Sequence, residues 1–194
     1  MNYVASELIE RIKQMPDFKE IPNNYWIIGI RNPEDNPDKF DDRFYLMKGE
    51  ELIMDTTGTT NPGVKILKGG FKAFNKEGAA VAESDRIYYN LWVPGLHQGK
   101  MPALRQQGAP ITIYRDGDGD EKSEEIGRRT NGYYGINFHA DQYNIKGIDK
   151  DSDRIGAWSA GCQVCNNMKD YNKIIETIGN QNRVTYALLK EFSI

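Results

Sequence analysis

Apolar residues recur at helical spacing near the start of the chain: Val4, Leu8, Ile12 and Met15, with Glu7, Glu10, Arg11 and Lys13 on the other positions. This spacing predicts an amphipathic helix over residues 3–15, ended by Pro16. From Tyr25 the pattern changes. Tyr25-Trp26-Ile27-Ile28-Gly29-Ile30 is aromatic and β-branched, as strands are. Residues 31–42 are polar, with Pro33, Pro37 and the acids Glu34, Asp35, Asp38, Asp41 and Asp42, and read as a loop. Arg43 to Met47 and Glu51 to Asp55 form a hairpin around Lys48-Gly49. Further strands are predicted at Arg86–Val93, Ile111–Tyr114 and Tyr133–His139, with a last one over Arg183–Phe192. A helix is predicted over Lys169–Ile178, closed by Gly179.

Strands dominate this pattern and no βαβ rhythm interrupts them. The fold class that follows is mainly β with a few helices (α+β), its strands mostly antiparallel. Residues 1–24 read as an N-terminal helix and lead-in, and residues 25–194 as one domain. A chain of 194 residues with 39% hydrophobic residues has enough apolar surface for a core of its own.

Charge narrows the partners. The formal net charge is −3, and Lys and Arg form no block, so nothing favours a polyanion and no nucleic acid is expected as a partner. No apolar run reaches membrane-spanning length, so no membrane span is expected. The opening Met1-Asn2-Tyr3-Val4-Ala5-Ser6-Glu7 shows no export signal. The protein then stays inside the cell that makes it, or leaves by a route that the sequence does not encode, or a signal has been trimmed.

Two local patterns suggest metals, and both fall short. Asp116-Gly117-Asp118-Gly119-Asp120-Glu121 begins like a calcium loop, but Glu121 and Gly127 stand where an EF-hand needs its glycine and its bidentate glutamate. A solvated Asp-Gly hairpin turn fits better. Cys162 and Cys165 form a single C-x-x-C, and only His97 and His139 could add imidazole, too few ligands for a structural zinc site. No cofactor is expected. A thiol redox role for the same pair needs a helix start in a βαβ setting, which is missing.

The remaining chemistry lies in Gly135-Ile136-Asn137-Phe138-His139-Ala140 and in Trp158-Ser159-Ala160-Gly161-Cys162-Gln163-Val164. The first reads as a strand ending in histidine. The second places a cysteine after small residues, where backbone can approach a substrate and leave the thiol open. A cysteine nucleophile needs an imidazole base and N–H donors for the oxyanion. The backbone N–H groups of Gly161 and Cys162 are candidates for the donors. The base needs a third group to fix its tautomer, and a backbone carbonyl would serve. His97 reads as a loop residue, the competing base or simply a surface histidine. Trp158 and Tyr134 line the cleft or pack in the core; aromatics beside strands do both.

This pattern resembles the L,D-transpeptidase (YkuD-like) family, which carries a His at a strand end, a variable stretch, then Ser/Thr-His-Gly-Cys. Here the matching pieces are His139 and Ser159-Ala160-Gly161-Cys162. Thr56-Thr57-Gly58-Thr59-Thr60-Asn61-Pro62-Gly63 is similar to the family's Thr-Gly…Thr-Pro-x-Gly segment, with Asn61 inserted. Asn167 falls at the start of the helix after the nucleophile, as in the family. The resemblance implies an antiparallel β-sandwich or barrel, Cys162 as acylated nucleophile and His139 as general base. It implies Gly161, Ser159 and Trp158 as oxyanion and substrate-binding residues, and a peptidoglycan stem peptide as substrate.

Two departures stand out. Ala160 replaces the His before Gly-Cys, and Val164 replaces an Arg two residues after the nucleophile. Both remove polar contacts for a substrate carboxylate, which favours hydrolysis over transpeptidation. With no export signal, the expectation is a phage lysin, an exported effector, or an L,D-transpeptidase whose signal was trimmed, acting at the bacterial cell wall. The alternative from another class is a non-catalytic wall-binding or virion structural module. Cys165 is expected to be dispensable, carried by helical geometry to a different face from Cys162. The polar segment from Ala140 to Gly161 is expected to cover the cleft as a lid.

Overall fold

The computed structural model describes residues 2–34, 36–70, 75–143 and 152–193. The middle of the expected lid therefore lies outside the described residues. Helix α1 spans Ala5–Lys13, and strands β1 (Tyr25–Arg31), β2 (Asp42–Lys48) and β3 (Glu51–Thr59) follow. Then come β4 (Ala79–Ala82), β5 (Arg86–His97), β6 (Met101–Gln106), β7 (Ile111–Asp116) and β8 (Arg128–Gly132). The chain continues with β9 (Phe138–Ala140), β10 (Gln163–Cys165), α2 (Met168–Ile178) and β11 (Val184–Lys190).

The fold is mainly β with few helices, as the pattern predicts. Eight strands close a barrel in the order β1-β11-β5-β6-β9-β10-β3-β2, and β4-β7-β8 form a second, antiparallel sheet. Most barrel pairs are antiparallel, but β1 with β11 and β9 with β10 are parallel, which the sequence did not reveal.

β1 lacks an alternating pattern because both of its faces are covered. Ile27 points into the barrel with Phe44, Leu46, Trp92, Phe138 and Tyr186. Trp26, Ile28 and Ile30 point outward, where α1 lays Leu8, Ile9 and Ile12 over them. Burying Leu8, Ile9, Ile12 and Met15 contributes on the order of 6–12 kcal/mol before entropy is counted, so α1 is part of the same folded unit. No side-chain oxygen caps α1 at Val4; instead the Glu7 carboxylate accepts the Val4 N–H at 2.8 Å. No helix among the described residues is long and apolar enough to cross a membrane.

Four strands have no expectation behind them: β4, β6, β8 and β10. The expected strand over Tyr133–His139 shrinks to β9, because Gly135 takes φ 74° and breaks the run. The Asp-Gly segment links β7 to β8, as a hairpin turn should. Asp118 accepts from the Asp120 N–H and Asp120 from the Lys122 N–H.

Candidate active site

The turn before Cys162 is held from two sides. Ser159 O accepts the Gly63 N–H at 2.9 Å, and Ala160 O accepts the Ala80 N–H at 3.1 Å. Gly161 takes φ 132°, and a Cβ there would lie 2.3 Å from Ala80 O, so only glycine fits. Gly58 and Gly63 have matching roles: a Cβ would meet Val164 O at 2.4 Å and Gly156 O at 2.2 Å. The Thr56–Gly63 segment is thus the bed on which the Cys162 turn and β10 rest.

Two of the expected oxyanion and substrate contacts, Ser159 and Gly161, bond to each other within this turn. Ser159 is buried; its Oγ donates to Cys162 O at 2.8 Å and accepts the Gly161 N–H at 3.2 Å. Ser159 therefore staples the turn, and the Gly161 N–H is already used. Among the described residues no acceptor takes the Cys162 N–H. Unlike the Gly161 N–H, it is not taken up within the turn.

The parallel pairing of β9 with β10 brings the distant segments together. Val164 lies across from His139, Gln163 lies across from Phe138, and the Gln163 N–H donates to Asn137 O at 2.8 Å. One step further, Cys162 lies across from Asn137. Residues two apart on a strand share a face, so Cys162, Asn137 and His139 project from the same side of the sheet.

His139 is buried, and its Nδ1 lies 2.6 Å from Ala140 O. A carbonyl only accepts, so the proton sits on Nδ1 and the lone pair on Nε2. Nε2 has no partner among the described residues. A backbone carbonyl, Ala140 O, thus fixes the tautomer of His139. Burial, helped by neighbouring His97 and opposed by the Ala140 contact, pushes His139 down to about 3.

His97 is not a loop residue. It ends β5, and its ring stacks on His139 with centroids 4.0 Å apart and planes 22° apart. Pro94 and Gly95 disguise the strand in the sequence. Asn137 Oδ1 accepts the Gln106 N–H at 2.8 Å, so its Nδ2 must be the atom 3.1 Å from His97 Nδ1. His97 Nδ1 is then an acceptor, and its proton is on Nε2. Burial, with the Arg105 charge, lowers the His97 pKa. The two stacked rings hold opposite tautomers, each fixed by backbone-anchored partners.

The Cys162 thiol is half-buried and donates to Gly135 O at 3.4 Å. Burial pushes it up to about 11, opposed by the backbone at Asn137. No hydrogen bond joins it to an imidazole among the described residues, so the resting pair is a neutral thiol and a neutral imidazole. Cys165 is also free, but buried, with Sγ 3.7 Å from Thr56 Oγ1 and 3.4 Å from Asn167 O. Burial pushes it up to about 12. The separating element is a strand, not the expected helix, and residues three apart on a strand face opposite ways.

Trp158 is half-buried and meets Tyr143 edge-on at 5.1 Å. Tyr143 in turn donates to Gln98 Oε1 at 2.7 Å and lies under Lys100 Nζ at 4.7 Å. Tyr134 instead carries Arg115 of β7 over its ring. Asn167 caps α2, its Oδ1 accepting the Asp170 N–H at 2.9 Å. A concavity lined by Tyr25, Tyr89, Asn90 and Gln181 lies toward the other end of β5 from His97. Asp118, Asp120 and Glu124 bring carboxylate oxygens within 4.8 Å of one another on the β7–β8 connection.

Comparison with known protein families, with characterised proteins and with solved structures finds no match to this chain.

Proposed function

We propose that this chain is a cysteine enzyme that forms an acyl-enzyme on a peptidoglycan stem peptide, as the L,D-transpeptidases it resembles do. The observation that carries this reading is His139. Its proton is fixed on Nδ1 by Ala140 O, and its open Nε2 belongs to a ring one strand from Cys162 on the same face. That is a base awaiting a proton.

The chemistry follows from the resting state. The thiol leaves Gly135 O and gives its proton to His139 Nε2 as sulfur attacks the carbonyl carbon. The oxyanion is met by the Cys162 N–H. An imidazolium buried at this position is a strong acid, because burial favours its neutral form. It protonates the leaving amine, the C–N bond breaks, and a thioester remains. Water or an acceptor amine, deprotonated by the same Nε2, then releases the product and restores the thiol. Ala160 and Val164 offer an acceptor no polar contact, so hydrolysis is the favoured outcome.

The test is incubation with purified peptidoglycan and identification of the muropeptides by mass. The chain should change the muropeptide profile, and Cys162→Ala should abolish the change. His139→Ala should lower the rate at least about a hundredfold, and His139→Gln should do no better. An unchanged profile, or undiminished turnover by Cys162→Ala, refutes the proposal. One observation favours a second reading: the resting thiol is neutral and bonded to Gly135 O. Sedimentation with peptidoglycan that leaves the muropeptides intact would select a wall-binding module instead.

A further inference from the structure

Arg105 lies in the same row as the nucleophile. Leu104 of β6 lies across from Phe138 of β9, so the next step places Arg105 across from Asn137, which in turn lies across from Cys162. Arg105, Asn137 and Cys162 thus project from one face, with about 10 Å of sheet, two strand spacings, from first to last.

The side chain of Arg105 does not stand straight out. On β5, Val93 lies across from Arg105 and Gly95 across from Ala103, so Gly95 and His97 share its face. A Cβ on Gly95 would lie 2.9 Å from Arg105 Cδ and 3.5 Å from its Cγ. The arginine stem therefore runs over the bare backbone of Gly95, toward His97. Its charge reaches His97 and helps to hold that ring neutral. Burial raises the thiol's pKa and the backbone at Asn137 opposes it.

Arg105 is half-buried, yet among the described residues no carboxylate, carbonyl or aromatic face is paired with its guanidinium. By contrast Arg31, Arg43, Arg86, Arg128 and Arg129 each have an acidic partner. A guanidinium is a planar fork of donors that matches a carboxylate. Here the stem of such a fork runs over Gly95 on the strand that carries His97, its donors unpaired among the described residues.

We infer that Arg105 is the substrate-anchoring residue of this site, binding a carboxylate one residue away from the carbonyl that Cys162 attacks. The inference rests on the proposed acyl transfer at Cys162. The spacing sets the substrate class. Because the Arg105 stem runs over Gly95 and its strand position lies two strand spacings from that of Cys162, the carboxylate belongs to a residue adjoining the reacting carbonyl. It is either the terminal carboxylate of the leaving residue or the second carboxylate of a diacid residue in the donor. Val164 supplies no such contact, and Arg105 restores it from another strand.

The test uses a pair of thiol reagents, N-bromoacetylglycine and its amide. Sulfur displaces bromide from either, and only the first carries a carboxylate one residue beyond the reacting carbon. Alkylation of Cys162 is followed by peptide mass, so that Cys165 does not confuse the reading. The acid-to-amide rate ratio should fall about tenfold in Arg105→Gln, the scale of a charge-lined cleft. Arg105→Lys should keep part of the ratio, and Gly95→Ala, which displaces the stem, should lower it with the charge intact. Added salt should lower it in the parent alone. An equal ratio in the parent and Arg105→Gln overturns the inference.

Stem-peptide donors amidated at the terminal or at the side-chain carboxylate then identify the source. Loss of turnover on one amidation but not the other, abolished as a preference in Arg105→Gln, assigns it. If the reagent ratio shifts as expected but the parent leaves peptidoglycan unchanged, Arg105 stands and the proposed reaction falls. If the parent processes peptidoglycan and Arg105→Gln keeps the acid preference, the reaction stands and Arg105 falls.

Discussion

The state of the resting thiol can be tested without any substrate. Cys162 is pushed up to about 11, whereas a free cysteine titrates near ~8.5. Near neutral pH the thiolate fraction is then smaller than that of a free cysteine by about 300-fold. A thiolate of higher pKa is more nucleophilic, which returns about tenfold. Alkylation of Cys162 by iodoacetamide should therefore run about thirtyfold slower than that of a small thiol. It should gain about tenfold per pH unit up to about pH 11, with no plateau on the way. Peptide mass after timed quenching gives the rate at Cys162 alone. His139→Ala should leave this curve nearly unchanged, because no hydrogen bond joins the resting thiol to the imidazole, although the same variant should cripple turnover. A plateau below about pH 8 that disappears in His139→Ala would mean a preformed thiolate–imidazolium pair. The general-base account would then be wrong.

Two further outcomes test the frame around the site. Gly161→Ala forces a Cβ against Ala80 O at a φ of 132°; it should cost about 3 kcal/mol and lower Tm by roughly 6–12 °C. A thermal scan showing a shift under about 2 °C would refute the clamp between the Cys162 turn and β4. Asp42 is buried and pushed up to about 6 by that burial, against hydrogen bonds from Asn32 and Thr60. A carboxyl raised in the folded state favours folding below its unfolded value and loses that contribution as pH rises through about 4 to about 6. Asp42→Asn should remove that downward slope, and denaturant unfolding of both proteins across this window should show a pH-dependent difference between them; a constant difference would refute the shift.

Elements with a strong apolar period or flanking punctuation were legible in the sequence. The α1 stripe, the β1 run, the β2–β3 hairpin and the Gly179 stop all correspond to observed elements. The strands that went unseen lack such a period. β4 is Ala-Ala-Val-Ala, too small to register as a hydrophobic run, and β6 contains Pro102. β8 is Arg-Arg-Thr-Asn-Gly and β10 has only three residues. They are strands because their neighbours cover or pair them, which is information from the tertiary fold.

The same division runs through the candidate site. Cys162 and His139 stand out by residue type and local pattern, and the pairing of β9 with β10 puts them on one face. The Ala140 carbonyl does not stand out, since every residue has one. His97 was hidden by Pro94-Gly95, and Gly95 itself was the one available signal for Arg105: a glycine inside a strand marks a place where something else must lie close.

The barrel is sealed by the parallel pairing of β1 with β11, reinforced by Tyr3, whose hydroxyl donates to Phe192 O at 2.6 Å across 189 residues of chain. Seams of that span are formed last and slowly, because the loop they close must be ordered before the contact repays it. Until β11 arrives, β1 and β5 both present unsatisfied edges flanked by apolar faces, a surface on which a second nascent chain could pair. The yield of native protein on refolding should therefore depend on concentration far more steeply than its final stability suggests.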